Sequence, residues 1–481
     1  MIETTNDVPD IVLLHSNDIH SRLEQTAKMA AYMEDTRRMY GKSRVLTLDI
    51  GDHMDRMRVE TEASDGLVNI ALMNAAGYDA VTLGNNEGLT FTPEQLDAGF
   101  REHAQFQTVC ANIVQMSDGQ RPTWMRPYAM IEKAGLRIGI IGVTAAFAEF
   151  YRLLGWEAGD PLKAVAEQVD LIRSEADIVV IMSHLGLPLD RRMAQEIPGI
   201  DLILGGHTHH LLEEPEMIGG TCICATGKFG EYIGRVEIRL DAQTNRPSFQ
   251  AVCIPTAELR EDEEAAAIIG SFLESGRSRL SRVITVLDAP LPARPEQESP
   301  LSNLLAAGLR RWTGAEIGIV NTGQLLDGLG EGAVTAGDLH ALCPSPINPC
   351  RMKLTGAVIR RSLEQALQRD YIDKPIRGFG FRGLVLGTLA VDGLDIQYDP
   401  NRKPNEQITA VTVNGLPLQD SRSYTVGTID MFTFGVGYEK IKDGTEISYF
   451  LPEFIRDVLE RELRNSEAIQ DSRRKRWLRM D

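Results

Sequence analysis

The sequence predicts an α/β layered domain followed by a second, separate α/β domain. Two patterns predict it. Through the first half, short apolar runs that read as strands alternate with stretches whose apolar residues recur at helical spacing. Around Pro290, Pro292, Pro295 and Pro300 regular helix becomes impossible, and a fresh alternation begins beyond.

The elements follow in order. Residues 11–14 read as a strand, and 27–39 as a helix with Met29, Met33 and Tyr40 near one face. Residues 45–48 form the next strand, and 67–76 a helix stopped by Gly77. A strand at 79–83, a helix at 93–103, a strand at 137–143 and a helix at 164–174 continue the alternation. Strands at 177–181 and 201–204 follow, and the regular alternation of 232–239 predicts a half-exposed strand. This first domain is expected to span 8–255. Residues 256–284 are expected to carry a linker helix with Ile268, Ile269, Phe272 and Leu273 as its apolar stripe. The second domain, 285–481, has helices predicted at 301–313 and 358–368. Its strands are predicted at 317–320, 384–398, 408–413 and 424–428. Its tail reads as helical, with the basic run Arg473 to Arg476 as a solvated helix end.

Composition narrows the function. The chain is 43% hydrophobic and 25% charged, with a formal net charge of -18. That balance argues against a nucleic-acid polymer or an anionic membrane surface as partner. An anionic substrate would need a local positive centre, which bound cations supply. The longest apolar run, 138–148, is far too short to span a membrane. Residues 1–10 hold Glu3, Asp7 and Asp10 with no Lys or Arg, so no secretory signal is expected. The six cysteines, Cys110, Cys222, Cys224, Cys253, Cys343 and Cys350, are then expected as reduced thiols in the cytoplasm.

Five polar motifs each sit just after a predicted strand. Asp18 and His20 follow 11–14, Gly51-Asp52 follows 45–48, and Gly84-Asn85 follows 80–83. His184 follows 177–182, and Gly206-His207-Thr208-His209 follows 201–204. Taken singly, His20 reads as structural, Asn85 as a turn residue and Gly51-Asp52 as a loop. Together they matter, because open α/β sheets gather their sites at the carboxyl ends of neighbouring strands. Carboxylate, amide and imidazole without thiolate suit manganese, zinc, iron or cobalt. Asp52 could bridge two ions through its two oxygens. Asp18, His20 and His209 could serve one ion, and Asn85, His184 and His207 the other. A hydroxide held between two such ions is a nucleophile for phosphate esters at neutral pH. Asp49, Asp55 and Glu87 are candidates to orient these ligands.

These residues resemble a known family. Leu14-His15-Ser16-Asn17-Asp18-Ile19-His20, Asp49-Ile50-Gly51-Asp52, Gly84-Asn85-Asn86-Glu87, Ser183-His184 and Gly205-Gly206-His207-Thr208-His209 resemble the calcineurin-like metallophosphoesterases. The first motif and the chain length point within them to the 5′-nucleotidase family, which includes UDP-sugar hydrolases and 2′,3′-cyclic-nucleotide phosphodiesterases. Pro300-Leu301-Ser302-Asn303-Leu304, the stretch from Ala315 to Gly323, Val334-Thr335 with Asp338, and Leu354-Thr355-Gly356 resemble its C-terminal substrate-binding domain. The resemblance implies a four-layer α/β sandwich holding two divalent ions, and a second α/β domain that binds a nucleotide or similar phosphorylated substrate. It places the reaction between the domains, with a hinge rotation delivering substrate.

The departures are informative. The family usually reads Gly-Asn-His-Glu-Phe-Asp where this chain has Gly84-Asn85-Asn86-Glu87-Gly88-Leu89. The family's His contacts phosphoryl oxygens or assists the leaving group, so Asn86 is the expected, weakened phosphoryl contact. An amide cannot supply a proton, and losing a general acid typically costs ~10²–10⁴-fold. Either the enzyme is slow, or His53 or His210 substitutes, or the substrate leaves easily. The last is favoured here, because a pyrophosphate leaves as a phosphate. In the second domain the family often has an Arg after its Asn-x-Gly; here Gln324, Leu325 and Leu326 stand there, and Arg377 and Arg382 are the candidates to compensate. Asn321 and Gly323 match its substrate loop. The family's base sandwich maps onto Phe379 or Phe381 on one side and Phe432 or Phe434 on the other. Cys343-Pro344-Ser345-Pro346-Ile347-Asn348-Pro349-Cys350 reads as a fixed loop, and Cys222 with Cys224 as packing. The rival activities are a 2′,3′-cyclic-nucleotide phosphodiesterase and a non-catalytic nucleotide-binding protein.

Overall fold

The structure is a computed structural model and describes residues 8–241, 243–244 and 246–480. The leader expectation falls largely on residues 1–7, outside the described residues. The chain divides into two compact units, Met1–Gly276 and Arg277–Asp481.

The first unit is built on two sheets. In the seven-stranded sheet, the parallel neighbours Ile11–Ser16, Val45–Asp49, Ala80–Val81, Gln107–Val109 and Met125–Arg126 are flanked by antiparallel Tyr232–Leu240 and Pro247–Pro255. The six-stranded sheet runs Glu216–Ile218, Thr221–Cys224, Leu202–Gly205, Ile178–His184, Leu136–Thr144, Tyr128–Lys133. Strand periodicity divides the side chains between two layers. Ile11, Leu13, Leu46 and Leu48 meet Ile138, Ile178, Val180, Met182 and Leu204 in a core shared by the two sheets. Val143, Val179, Ile181 and Ile203 point the other way, onto Val165, Val169, Ile172 and Met193 of the helices Pro161–Ile172 and Leu187–Glu196. The helix Leu23–Tyr40 packs against Leu67–Ala76 and Val45–Asp49 on the outer side of the first sheet. The layers are therefore helix, sheet, sheet, helix.

The second unit pairs a five-stranded sheet with a four-stranded one around a single apolar core. The helix Pro300–Thr313 packs on Ile317–Asn321, Leu389–Asp392 and Ser423–Ile429. Among the described residues no helix is long and apolar enough to cross a membrane.

Several elements differ from expectation for local reasons. The strand expected at 384–398 breaks at Gly393, whose φ of +76° turns the chain between Leu389–Asp392 and Leu394–Tyr398. The helix expected at 93–103 is α-helical only over Pro93–Leu96 and loosens to a π turn over Asp97–Arg101. The basic tail is a solvated helix end only over Arg473 to Lys475, which are exposed beyond the helix Ser466–Ser472. Arg476 is fully buried, pairs with Asp392 at 3.0 Å and Asp471 at 2.7 Å, and leads into the strand Trp477–Arg479.

Candidate metal centre

Three adjacent parallel strands of the first sheet and two of the second end at one place. Ile11–Ser16 delivers Asp18 and His20, Val45–Asp49 delivers Asp52, and Ala80–Val81 leads to Asn85. Ile178–His184 ends on His184, and Leu202–Gly205 leads to His207 and His209. The loops can meet because two glycines cross. A Cβ on Gly51 would stand 2.4 Å from Gly84 N, and one on Gly84 would stand 2.1 Å from Asp52 Oδ1. Asp18, His20, Asp52, His207 and His209 all have positive φ, between 48° and 70°. Non-glycine residues hold that conformation only where the surroundings over-determine it, and such residues concentrate at working sites.

Buried carboxylates fix these loops. Glu87 accepts backbone N–H groups from Gly84 (2.8 Å), Asp52 (2.9 Å) and Met54 (2.8 Å). Asp49 accepts from the Ser16 hydroxyl at 2.6 Å and from Gly51 N at 3.0 Å. Asp55 Oδ2 lies 3.7 Å from His20 Nδ1.

Two overlapping groups could each hold a cation: Asp18 with His20 and His209, and Asp18 with Asp52 and His184. Nε2 of His20 and Nε2 of His209 lie 3.1 Å apart, and the latter is 3.4 Å from Asp18 Oδ1. Asp52 faces both sides, with Oδ2 3.9 Å from His20 Nε2 and Oδ1 3.5 Å from His184 Nε2. His184 Nδ1 is 2.8 Å from the Ile50 carbonyl, an arrangement in which Nδ1 donates and Nε2 is left for another partner. Asn85 Oδ1 is buried and lacks a hydrogen-bond partner, whereas buried His184 Nε2 faces Asp52 Oδ1 at 3.5 Å. A buried acceptor without a partner is costly, and a coordinated cation would satisfy the Asn85 oxygen. His207 lies outside both groups, its ring 5.2 Å from that of His184.

Charge in this arrangement is strongly biased. Burial alone would lower the His184 pKa, but Asp52 and then Asp18 outweigh it and raise the imidazole to about 10. Burial likewise works to raise Asp52, but His184 and His20 hold its carboxyl well below the usual range. Burial lowers His207 to about 4, assisted by the neighbouring His184. The site thus draws a positive charge into itself, as a proton or as a metal ion.

The sequence comparisons agree with this geometry. A calcineurin-like phosphoesterase profile matches residues 11–211, and a 5′-nucleotidase C-terminal domain profile matches 281–443. An uncharacterized metallophosphoesterase of Bacillus subtilis, YunD, is 36% identical over 452 residues, 93% of this chain and 97% of that protein. The chain belongs to the 5′-nucleotidase family of calcineurin-like metallophosphoesterases. The rat 5′-nucleotidase is 24% identical over 500 residues, 90% of this chain and 84% of that one. The NAD nucleotidase of Haemophilus influenzae shares the fold, with a TM-score of 0.68 at 16% identity, over 98% of this chain and 97% of that chain.

As a metallophosphoesterase, the chain is a hydrolase of phosphoester bonds, in a family that uses divalent metal ions. Its departures from the family pattern now have positions. The Asn86 amide nitrogen lies 3.0 Å from both the Met54 carbonyl oxygen and His20 Nδ1. Of the two histidines considered as substitutes for the missing acid, His53 is ruled out by burial. It lies between Asn69 (3.1 Å) and Thr26 (3.4 Å), with burial pushing its pKa to about 3. His210 is exposed, its Nδ1 2.8 Å from Thr208 Oγ1.

In the second unit, the residues expected at the substrate differ in exposure. Asn321 is fully buried: its Nδ2 donates to Leu386 O at 2.7 Å and its Oδ1 accepts from Gln324 Nε2 at 3.0 Å. Gly323 is a packing requirement, since a Cβ there would meet Val385 O at 2.0 Å. Phe381 and Phe432 are buried in the core. Phe379 and Phe434 are 55% and 43% exposed, with ring centroids 5.7 Å apart at 34°. Arg377 is exposed beside them in sequence, and Arg382 is half-buried.

Two aromatic neighbours of the site escaped the sequence reading. Phe147 sets its edge against His207 at 5.9 Å, and Phe229 packs 5.7 Å from His20 and 6.4 Å from His209. Neither sits at a strand end, so nothing local marked them.

Proposed function

We propose that this chain hydrolyses a nucleotide or related phosphate ester or anhydride at a centre of two divalent ions, with manganese, zinc, iron or cobalt as candidates. In this reading Asp18, His20 and His209 hold one ion, Asn85, His184 and His207 hold the other, and Asp52 spans both. The observation that carries it is the gathering of Asp18, His20 and His209, and of Asp18, Asp52 and His184, into two overlapping groups able to hold a cation, together with the buried, partnerless Asn85 Oδ1. Ions bound there would supply the nucleophile and neutralise the phosphoryl oxygens. The chain's own part is to aim these ligands: Ile50 O orients His184, and Glu87 and Asp49 lock the loops that carry Asp52 and Asn85.

The departing group, in this proposal, is a phosphate and not an alkoxide. Asn86 supports it, because its amide has no proton to give and its nitrogen faces His20 and Met54. The exposed Phe379–Phe434 pair supports an aromatic ring, such as a nucleobase, as part of the substrate.

The test begins with metal-stripped protein resupplied in turn with manganese, zinc, magnesium and cobalt, acting on an aryl phosphate monoester and diester. Metal-restored turnover that vanishes in Asp52→Asn is expected. No turnover with any metal would leave a nucleotide-binding protein with a retired centre. Turnover of 2′,3′-cyclic nucleotides without 5′-monophosphate hydrolysis would favour the cyclic phosphodiesterase. A strong preference for nucleoside monophosphate over UDP-sugar would sink the leaving-group part.

A further inference from the structure

Beside the candidate metal centre, on the His20 and His209 side, stands a group that the metals do not account for. Phe229 sits in a turn between two left-handed glycines, Gly227 and Gly230, and is itself at φ +59°. Its backbone N–H donates to the Asp18 carbonyl at 2.7 Å, and Asn17 Nδ2 donates to Gly227 O at 2.8 Å. The ring is therefore fixed to the same backbone that carries Asp18. A bulky residue in that conformation is an outlier, and such outliers cluster at ligand clamps.

Two cations lie over this ring. The Arg22 guanidinium carbon is 4.9 Å from its centroid and Lys228 Nζ is 4.6 Å. Among the described residues neither side chain makes an ion pair within 4 Å. Glu24, whose carboxylate Arg22 helps to hold below its usual range, makes its close pair with Arg58 at 2.7 Å. In a chain of net charge -18, where most arginines are ion-paired, two cations sharing one aromatic ring without an anion between them are unusual. The same ring also packs against the candidate ligand His20, with centroids 5.7 Å apart. Cations on a fixed aromatic surface are partly desolvated and pre-positioned, so they suit an incoming anion.

We propose that Arg22 and Lys228, mounted on Phe229, form a subsite for a second anionic group of the substrate, adjacent to the phosphate undergoing attack. The fitting ligand is a phosphoanhydride, two linked phosphates with one in the centre and the other on this subsite. The inference rests on the phosphoesterase reading above. In the reaction a water oxygen bonds to phosphorus and the bond from phosphorus to the bridging oxygen breaks. The electron pair leaves on the departing phosphate, and one proton of the water passes to solvent. Arg22 and Lys228 receive the departing charge, a task that needs no proton donor at position 86.

The experiment compares α,β-methylene-UDP with UMP by calorimetric titration of manganese-loaded protein, in the wild type and in Arg22→Gln/Lys228→Met. The wild type should prefer the diphosphate by roughly tenfold or more, the scale of two charge-assisted contacts, and the double variant should lose that preference. Arg22 is exposed and Lys228 half-buried, and Lys228→Met alone serves if the double variant does not fold. A preference absent from the wild type, or intact in the variants, overturns the subsite. Turnover of an aryl phosphate monoester is measured alongside. Preference without any turnover keeps the subsite and removes the hydrolase reading; turnover without preference does the reverse.

Discussion

The side-chain nitrogen of Asn86 lies 3.0 Å from Nδ1 of His20. The same nitrogen donates to the Met54 carbonyl, which can only accept, so the orientation of the amide is set. A cation on His20 Nε2 would leave Nδ1 as N–H, facing that NH₂ group. The ring's alternative partner is Asp55 Oδ2, 3.7 Å from the same nitrogen. Asp55→Ala is therefore expected to weaken metal binding by ~10–100-fold, and Asn86→Ala by only about twofold. Calorimetric titration of metal-stripped protein measures both. Equal losses would mean that the amide turns end for end when metal binds.

Metal uptake should also be linked to protons. In the metal-free state Asp52 and Asp18 raise His184 to about 10 despite its burial. At neutral pH its Nε2 then carries a proton that an ion must displace. Affinity should rise about tenfold per pH unit below that value, with about one proton released per ion bound. Titrations in two buffers of different ionisation enthalpy give the number; zero would remove His184 as a displaced acid.

The crossing of Gly51 and Gly84 makes a sharp contrast between glycines. Gly51→Ala places a Cβ 2.4 Å from Gly84 N at φ +88°, whereas Gly119→Ala, at φ +70°, meets nothing within 4 Å. The first should cost at least ~3 kcal/mol and abolish metal binding, and the second about 1 kcal/mol. Thermal melts with and without manganese compare them.

A fourth expectation concerns the second unit. Burial raises Asp430 to about 7 from 3.8, against hydrogen bonds from Asn348 and Met431 that lower it. In that window the folded chain keeps a proton that the unfolded chain releases. Its contribution to stability is thus present below the unfolded value and is lost as pH rises toward 7. The loss is up to about 1.4 kcal/mol per pH unit. Asp430→Asn should flatten that slope in denaturant titrations of the full chain at pH 4.5, 5.5 and 6.5; an unchanged slope would assign it to other groups.

The first unit was legible because its groups announce themselves locally. An apolar run followed by Gly51-Asp52 or Gly206-His207 carries its own signal, and the helix Leu67–Ala76 ends on Gly77 as expected, at φ +69°. The second unit was read less well because exposure is a tertiary property. Phe379 and Phe381 are two residues apart and of one type, yet one is half in solvent and the other in the core. Arg476 looks solvated in a run of four cations until Asp392, more than eighty residues away, turns it inward. The amide of Asn321, expected at the substrate, is donated to the Leu386 carbonyl, sixty-five residues on. In each case the deciding partner is distant along the chain.

The two crossed glycines also bear on how such a protein would decay. Relieved of selection for catalysis, a descendant could exchange Asp52 or Asn85 singly and still fold, since their loops are held by backbone N–H groups donated to Glu87 and Asp49. It could not as easily exchange Gly51 or Gly84, because the loops collide before any chemistry is at stake. The glycines should outlive the ligands. A relative that keeps both while its Asp and His positions have drifted is best read as a scaffold whose chemistry has lapsed, and one that has lost them as a loop pair rebuilt for another purpose.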